Sequence, residues 1–192
     1  MGWPLVIVVK VGGSLFDHPR LGLGLRAYLE SLAPSEVLLI PGGGDLAETV
    51  RKLDRLHGLR EEASHWLALQ TMTVTGAFLS QLINLPAFGS RVRIADAFAF
   101  AQDDEGNSGA LPHSWDVTSD SIAARMAVIF QAERLILLKS IDIPPGTPWT
   151  NAAERGWVDP YFPQVISRTA IPVGTVNFCR YLDSFRDWPT NR

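Results

Sequence analysis

Residues 5–14 read LVIVVKVGGS, and this stretch decides the fold. Its first part, residues 5–11, is a run of branched apolar side chains, which is typical of a strand buried on both faces. Two glycines and a serine follow at the point where such a strand ends and a helix can begin. Because glycine has no Cβ, the backbone N–H groups there are open to an anion. The stretch therefore predicts a parallel α/β fold with an anion site, although a plain glycine turn beside an exposed lysine fits equally well.

A second glycine run, PGGGD at residues 41–45, follows another short apolar run at 36–40. Three consecutive glycines carry a high conformational entropy in the unfolded chain, so they indicate close approach of a ligand to the main chain. A flexible loop is the alternative interpretation. Ligands of parallel sheets bind beyond the carboxyl ends of the strands, where both glycine runs are expected.

Strand and helix patterns alternate along the rest of the chain. Helices are predicted at 18–32, 45–56, 61–84 and 118–131, and further strands at 92–95, 134–139 and 171–176. Residues 102–109 are predicted to form an exposed loop and residues 143–163 an irregular segment. Asp45 is a candidate N-cap of the second helix, and Thr118 or Ser119 of the fourth. The pattern predicts a single domain over 1–192, a three-layer α/β/α sandwich with a mainly parallel central sheet.

The longest predicted helix, 61–84, has a candidate apolar face. The face comprises Ala63, Trp66, Leu67, Val74, Ala77, Phe78 and Leu82. A long helix that is apolar on one side is expected to support a homodimer.

Composition excludes several classes of function. The net charge of −3 gives no basic field for nucleic acid. No apolar run reaches the roughly 18 residues of a membrane span, and residues 1–11 lack the features of a signal peptide. The single cysteine, Cys179, cannot form an internal disulfide, which favours a cytoplasmic protein.

Lysine is rare in this chain and its placement is informative. There are three lysines among 17 basic residues, namely Lys10, Lys52 and Lys139. Because arginine is the usual surface cation here, a lysine at the end of a buried strand indicates a need for a compact ammonium group. Lys10 and Lys139 both lie at such a strand end.

A third segment, WDVTSDS at residues 115–121, leads into a predicted helix. Asp116 and Asp120 are spaced so that both face the start of that helix, where they would cap N–H groups, orient a lysine or hold an amine. Phosphoryl transfer requires positioning and charge neutralisation more than a covalent nucleophile. A lysine, two glycine turns and an aspartate therefore suffice in principle.

These segments, in this order, resemble the amino acid kinase superfamily, which includes acetylglutamate, aspartate, uridylate and carbamate kinases. KVGGS at 10–14 matches its first strand end, GGG at 42–44 its glycine-rich turn, and Asp120 its Asp-x-x-Ala motif. The fourth motif, normally Leu-Thr-Asp-Val-Asp-Gly, is altered here to LLKSIDI at 137–143. The closing strand reads TVNF at 175–178.

The resemblance implies an ATP-dependent kinase, with Mg²⁺ brought by the nucleotide and no metal site in the protein. Its catalytic residues would be Lys10, Asp120 and Lys139, with Asp120 orienting the lysines. Residues expected to bind phosphate or nucleotide are Gly12, Gly13, Ser14, Ser140 and Asp142, the N–H groups of Gly12, Gly13 and Gly43 being donors. Residues expected to bind the acceptor are Gly42, Gly43, Gly44, Asp116 and Thr118.

The second half departs from the superfamily pattern. Residues up to about 115 would bind the acceptor, and residues from about 116 to 192 would form a shortened nucleotide half. Relatives often use a late lysine, but none follows Lys139 here. A non-catalytic nucleotide- or oxyanion-binding subunit, or a regulatory subunit of the same fold, is therefore an alternative. A kinase of a carboxylate or of UMP is another.

Two segments narrow the resemblance to small kinases of methanofuran biosynthesis. These segments are WDVTSDS at 115–121 and GWVDPY at 156–161. Such kinases phosphorylate an aminomethylfuran-methyl phosphate to its diphosphate. The amine of this acceptor would suit Asp116, and its phosphate would suit the glycine turn.

Overall fold

The structure is a computed structural model that describes residues 6–185. Its centre is one sheet of five parallel strands in the order β3-β2-β1-β4-β5. The strands are β1 (Val6–Val11), β2 (Glu36–Pro41), β3 (Val92–Ile94), β4 (Arg134–Lys139) and β5 (Val173–Asn177). The predicted parallel sheet is confirmed, while the predicted strand residue Leu5 lies outside the described residues.

Eight α-helices surround the sheet within residues 6–185. They are α1 (Leu21–Ser31), α2 (Gly44–His57), α3 (Glu61–Leu82), α4 (Ala97–Asp104), α5 (Ser119–Ile129), α6 (Trp149–Glu154), α7 (Phe162–Ile166) and α8 (Phe178–Asp183). Short 3-10 turns span Gly13–Leu15 and Leu85–Phe88. None of these helices is both long and apolar enough to cross a membrane.

Side chains of the central strand alternate between two apolar cores, as the pleat of a strand requires. Val6 and Val8 pack on the face covered by α3, α5, α6 and α7, whereas Ile7 and Val9 pack on the face covered by α1 and α8. Helices thus cover both faces of the sheet, which confirms the three-layer α/β/α architecture.

The same alternation places both strand-end lysines on the α5 side of the sheet. Lys10 follows Val8 by two residues on β1, and Lys139 follows Leu137 by two residues on β4. Val8 and Leu137 belong to the core that α5 covers. Strands β1 and β4 are neighbours and Lys10 pairs with Leu137, so Lys139 emerges on the same side of the sheet, two residues farther along.

The predicted apolar face of the helix at 61–84 is wrong. The residues that α3 buries are Ser64, His65, Leu69, Met72, Thr75, Gly76 and Leu79. Leu67, Val74 and Phe78 of the predicted face are exposed. Much of the buried side is small or polar because it lies over the glycine turn, where Thr75 Oγ1 donates to Gly42 O at 2.8 Å. Apolar periodicity does not detect such a face.

Two segments predicted to be irregular contain helices. Helix α4 extends into the predicted loop at 102–109, and its last residue, Asp104, is buried beside Arg125. The predicted irregular segment at 143–163 contains α6 and the start of α7. These two helices have six and five residues, which is too short for a helical period to show.

Candidate active site

The two glycine runs meet at the carboxyl ends of β1 and β2. A Cβ on Gly13 would lie 2.5 Å from the backbone N of Gly44, and a Cβ on Gly42 would lie 2.6 Å from the backbone N of Gly13. Gly44 also has a φ of +56°, which disfavours other residues. The glycines are therefore needed for packing of the two turns against each other.

Packing also decides which N–H groups remain available to a ligand. Gly12 N–H donates to Leu138 O at 2.9 Å, and Gly42 N–H donates to Val11 O at 2.9 Å. The expectation that the Gly12 N–H serves a ligand is therefore wrong, because β4 already accepts it. In the segments 12–14 and 42–44, the N–H groups without a protein acceptor are those of Gly13, Ser14, Gly43 and Gly44.

These four residues line a cavity of about 330 Å³, termed the glycine cavity. Its walls come from α3 (Leu69 and Met72), α2 (Arg51) and the segment that leads into α5 (Trp115 and Thr118). Gly42 is not among its lining residues, since both of its backbone groups bond within the protein. A cavity lined by four residues whose N–H groups have no protein acceptor suits an anionic group.

Lys10 and Lys139 converge on Asp120 in the first turn of α5. Lys10 Nζ lies 2.8 Å from Asp120 Oδ1, and Lys139 Nζ lies 2.6 Å from Asp120 Oδ2. Lys10 and Asp120 are each only 4% exposed. The structure thus brings together the three residues that the resemblance marks as catalytic, and we term them the lysine cluster.

The lysine cluster perturbs the ionisation of its members. Burial alone would raise the pKa of Asp120, but the two ammonium groups outweigh it and hold that pKa below its usual value. Burial and the nearby charge of Lys10 lower the pKa of Lys139, against the opposing attraction of Asp120. Two cations that share one carboxylate are arranged to receive a further anion.

The lysine cluster faces an open cavity of about 540 Å³, termed the lysine cavity, which Asp116 and Asp159 also line. Four residues line both cavities, namely Glu48, Arg51, Trp115 and Thr118. The two cavities therefore adjoin and form one cleft. The free N–H donors lie in one part of this cleft, and the lysines lie in the other.

Asp159 organises the start of α5; the sequence analysis quoted it within GWVDPY but gave it no role in the site. Its Oδ2 accepts hydrogen bonds from the N–H and Oγ1 of Thr118, both at 3.0 Å, and from Ser121 N–H at 2.9 Å. Its Oδ1 accepts from Phe162 N–H at 2.9 Å and from the Ser121 hydroxyl. Ser121 and Thr118 lie 38 and 41 positions before Asp159 along the chain. No local sequence pattern therefore reveals these contacts.

The predicted N-cap position of α5 is confirmed, whereas that of α2 is wrong. Thr118 occupies the N-cap position of α5 but forms no capping bond with its own side chain, and the N–H of Ser121 in the first turn donates to Asp159 instead. Gly43, not Asp45, is the N-cap of α2, and Asp45 lies inside its first turn. The carboxylate of Asp45 is still favourably placed there with respect to the helix dipole.

Trp115 ties the segment before α5 to helix α2 across the cleft. Its Nε1 donates to Asp54 Oδ2 at 2.7 Å, and the Arg51 guanidinium lies 4.4 Å from the centre of its ring. The sequence analysis missed Arg51 and Asp54 as parts of the site. Their spacing of three residues on a helix places them on one face, but nothing local identifies their aromatic partner.

Sequence comparison finds a curated relative. The chain is 26% identical over 149 residues to the [5-(aminomethyl)furan-3-yl]methyl phosphate kinase of Methanocaldococcus jannaschii. The match covers 70% of the chain and 66% of the relative, just under two thirds of its length. No protein-family profile matches the chain.

Solved structures share the architecture over nearly the whole chain. The uridylate kinase of Archaeoglobus fulgidus superposes with a TM-score of 0.64 at 17% identity, covering 93% of this chain and 95% of its own. The UMP kinase of Ureaplasma parvum gives a TM-score of 0.60 at 13% identity, covering 98% and 97%. The chain has the amino acid kinase fold. The resemblance read from the sequence motifs is thereby confirmed.

Not every residue that the superfamily resemblance marks lies in the cleft. Ser14 Oγ and Ser140 Oγ are hydrogen bonded at 2.9 Å, which joins the ends of β1 and β4, but Ser140 lines neither cavity. Asp142 pairs with Arg180 of α8 at 2.7 Å on the surface, so the structure does not bring it to the lysine cluster. Across residues 6–185, no three His, Cys, Asp or Glu side chains group as a metal site.

Proposed function

We propose that this chain is a kinase that transfers the γ-phosphoryl group of ATP to a small acceptor that already carries a phosphate monoester. An aminomethylfuran-methyl phosphate is the best candidate acceptor. The observation that carries the proposal is the lysine cluster, which stands next to a cavity with four free N–H donors. The name of the curated relative supports both the activity and this acceptor.

The cleft offers a separate place for each reactant. The acceptor phosphate would bind the free N–H groups in the glycine cavity, and ATP would occupy the more open lysine cavity. Lys10 and Lys139 would then stabilise the negative charge on the phosphoryl group during transfer, with Asp120 fixing both ammonium groups. In this division, residues up to about 115 would serve mainly the acceptor and later residues mainly the nucleotide.

The state of the buried carboxylates favours a phosphate or carboxylate acceptor over an alcohol. Asp120 is engaged by two lysines, and Asp159 accepts hydrogen bonds from backbone and hydroxyl donors. Neither carboxylate is free to remove a proton from a substrate hydroxyl. A phosphate monoester has a second pKa of about 6, so its oxygen is already ionised at neutral pH and needs no base.

Asp116 and Mg²⁺ complete the proposed site. Asp116 is exposed and lines the lysine cavity. It would pair with the amine of an acceptor that extends from the glycine cavity into the adjoining lysine cavity, which ATP would share. The described residues present no group of three ligands for a resident metal ion. We assign Mg²⁺ as the counter-ion of ATP, held by the phosphate oxygens.

We also propose that the chain forms a homodimer through α2 and α3. Helix α2 buries none of its residues and exposes Leu46 and Leu53, while α3 exposes Val74 and Phe78. Exposed apolar side chains on two helices that contact each other favour a protein partner. A second copy of the chain would remove them from water, and the mass in sedimentation equilibrium is then expected to equal two chains.

Release of ADP from Mg·ATP tests the kinase proposal. The acceptors to compare are aminomethylfuran-methyl phosphate, UMP, acetylglutamate, glutamate, aspartate and carbamate. We expect turnover with the aminomethylfuran phosphate, its loss in K10A, and its retention in K52A. Lys52 is exposed on α2 and lines neither cavity, so K52A is a matched lysine control.

Each other result has a defined meaning. Turnover with UMP or a carboxylate instead would keep the kinase and replace the acceptor. Saturable ATP binding without turnover of any acceptor would support a non-catalytic binding subunit. No ATP binding at all would refute the kinase proposal for this chain.

A further inference from the structure

Helix α5 begins with a carboxylate that comes from a distant part of the chain. We propose that Asp159 is a positioning residue, which fixes the first turn of α5 and, through Asp120, holds Lys10 and Lys139 in place. The catalytic part of this inference rests on the proposed kinase function. The structural part concerns only the contacts of Asp159 and the state of the lysine cluster.

Both carboxylate oxygens of Asp159 accept several hydrogen bonds, although Asp159 lies outside the helix that it caps. Its two oxygens accept five hydrogen bonds, three from backbone N–H groups and two from hydroxyl groups. The residue is only 6% exposed. A helix capped by its own N-cap side chain gains one or two such bonds, whereas Asp159 supplies bonds to both Thr118 and Ser121.

These bonds hold the turn that contains Asp120, the carboxylate that both lysines contact. Asp120 lies between Thr118 and Ser121, the two residues of the α5 start that Asp159 holds. The contacts of Asp120 with the two Nζ atoms are 2.8 and 2.6 Å, so a small movement of this turn lengthens both. A misplacement of about 1 Å in a catalytic group can cost roughly 100-fold in rate.

Asp159 also ties the segment before α5 to the second half of the chain. Its Oδ1 accepts from Phe162 N–H, the first residue of α7, and the neighbouring Tyr161 N–H donates to Asp116 O at 3.1 Å. Asp159 and Asp116 both line the lysine cavity. Residues 159–162 therefore connect the proposed nucleotide half to Asp116 and Thr118, which are expected to bind the acceptor.

The charge of Asp159 reaches the lysine cluster as well. The ionisable groups that act on Lys139 are Lys10, Asp120 and Asp159, and the attraction of Asp159 raises the pKa of Lys139. Burial and the charge of Asp120 raise the pKa of Asp159 itself, while its hydrogen bonds with Ser121 and Thr118 oppose this. Removing the charge of Asp159 should therefore lower the pKa of Lys139.

The variant D159N tests the inference because all five partners donate. An amide keeps the shape of the side chain, but its NH₂ group would face a donor that cannot accept, such as the Phe162 N–H. We expect kcat to fall by about 100-fold with a much smaller change in KM. D103N, which alters an exposed carboxylate on α4, is the matched control and should leave kcat unchanged.

A second measurement does not depend on activity. With only three lysines in the chain, protein labelled with ¹³C at lysine Cε gives three lysine side-chain resonances, which can be followed by NMR as pH rises. In D159N the Lys139 resonance should titrate at lower pH than in the unchanged chain, while exposed Lys52 serves as the internal reference. An unchanged Lys139 titration, together with unchanged kcat, would overturn the proposal.

The two readouts separate this inference from the kinase proposal. If the chain turns over no acceptor, the Lys139 titration still decides whether Asp159 acts on the lysine cluster. If D159N does not fold, S121A removes a single hydroxyl bond to Asp159 and suits a helix interior. That variant should lower kcat several-fold with little change in Tm, and an unchanged kcat in an active enzyme would contradict the proposal.

Discussion

Helix α5 carries two buried ion clusters that are built differently. Arg125 meets Asp104 through two hydrogen bonds of 2.8 Å and donates a third, of 3.0 Å, to Ser108 O. At the start of the same helix, Asp120 meets the two lysines of the lysine cluster. The first arrangement, termed the arginine pair, has one cation for one carboxylate, while the second has two.

The difference separates a structural contact from a candidate site. The planar guanidinium of Arg125 matches the Asp104 carboxylate, and this pairing balances its charge without a ligand. The lysine cluster gathers two flexible ammonium groups around one carboxylate at the edge of a cavity. Placing a second buried cation there lowers the pKa of Lys139, a cost to stability that a phosphate ligand would offset. Perturbed ionisation beside a cavity is typical of functional sites.

Removing the shared carboxylate should have the largest effect on stability. D120N leaves Lys10 and Lys139 together without a negative partner, and breaking a buried ion pair costs about 3–5 kcal/mol. We expect a loss near the upper end of this range in urea unfolding at pH 7, together with loss of turnover. Because Lys139 sheds its proton more readily than an ordinary lysine, the loss should shrink as pH rises.

The exposed pair of Asp142 and Arg180 supplies the control for D120N. Their side chains are 50% and 77% exposed, and such surface pairs contribute at most about 1 kcal/mol. D142N should therefore unfold almost as the unchanged chain does. A D120N variant as stable as D142N would show that the lysine cluster does not depend on Asp120.

Breaking the arginine pair should cost somewhat less. R125M leaves Asp104 buried without its guanidinium partner, and we expect a loss of about 3 kcal/mol in urea unfolding. The double variant D104L/R125M removes both charges and should recover most of that loss. If the double variant is as unstable as R125M, the pair contributes through packing and not through its charges.

The fold was largely predictable because its signals are local. Apolar runs ended by glycines gave β1 and β2, and alternation with helices gave the parallel sheet. Periodicity failed where a helix is short, as at α6, or where it packs through small and polar residues, as at Thr75 and Gly76 of α3. In those places tertiary contacts decide the structure.

The candidate site was predictable only for residues that lie at a recognisable strand end or helix start. Lys10, Asp120 and Lys139 were found from strand ends and a helix start, and strand alternation explains why both lysines reach the same carboxylate. Asp159 was quoted within GWVDPY but given no role, because its contact with Ser121, 38 residues earlier, leaves no local pattern. The Gly12 N–H was misassigned because its acceptor lies on β4, another distant segment.

Among the substitutions in the two ion clusters, the smallest effect on stability is expected from K139M, and it is the sharpest test of the comparison. R125M removes the single cation of its cluster, but K139M leaves Asp120 paired with Lys10 at 2.8 Å. The change in unfolding free energy at pH 7 should therefore stay within about 1 kcal/mol, well short of the 3–5 kcal/mol that follows loss of an only partner. Turnover should nevertheless be lost.

The pH dependence of K139M follows from the direction of the Lys139 pKa. This pKa is lowered in the folded chain from its ordinary 10.5, so the unfolded chain binds the proton more tightly. The unchanged chain should gain stability as pH rises from the folded pKa of Lys139 toward that ordinary value. K139M should lack this gain in urea unfolding measured at several alkaline pH values. If K139M instead costs as much as R125M, then Lys139 is a structural partner of Asp120 and the contrast between the two clusters fails.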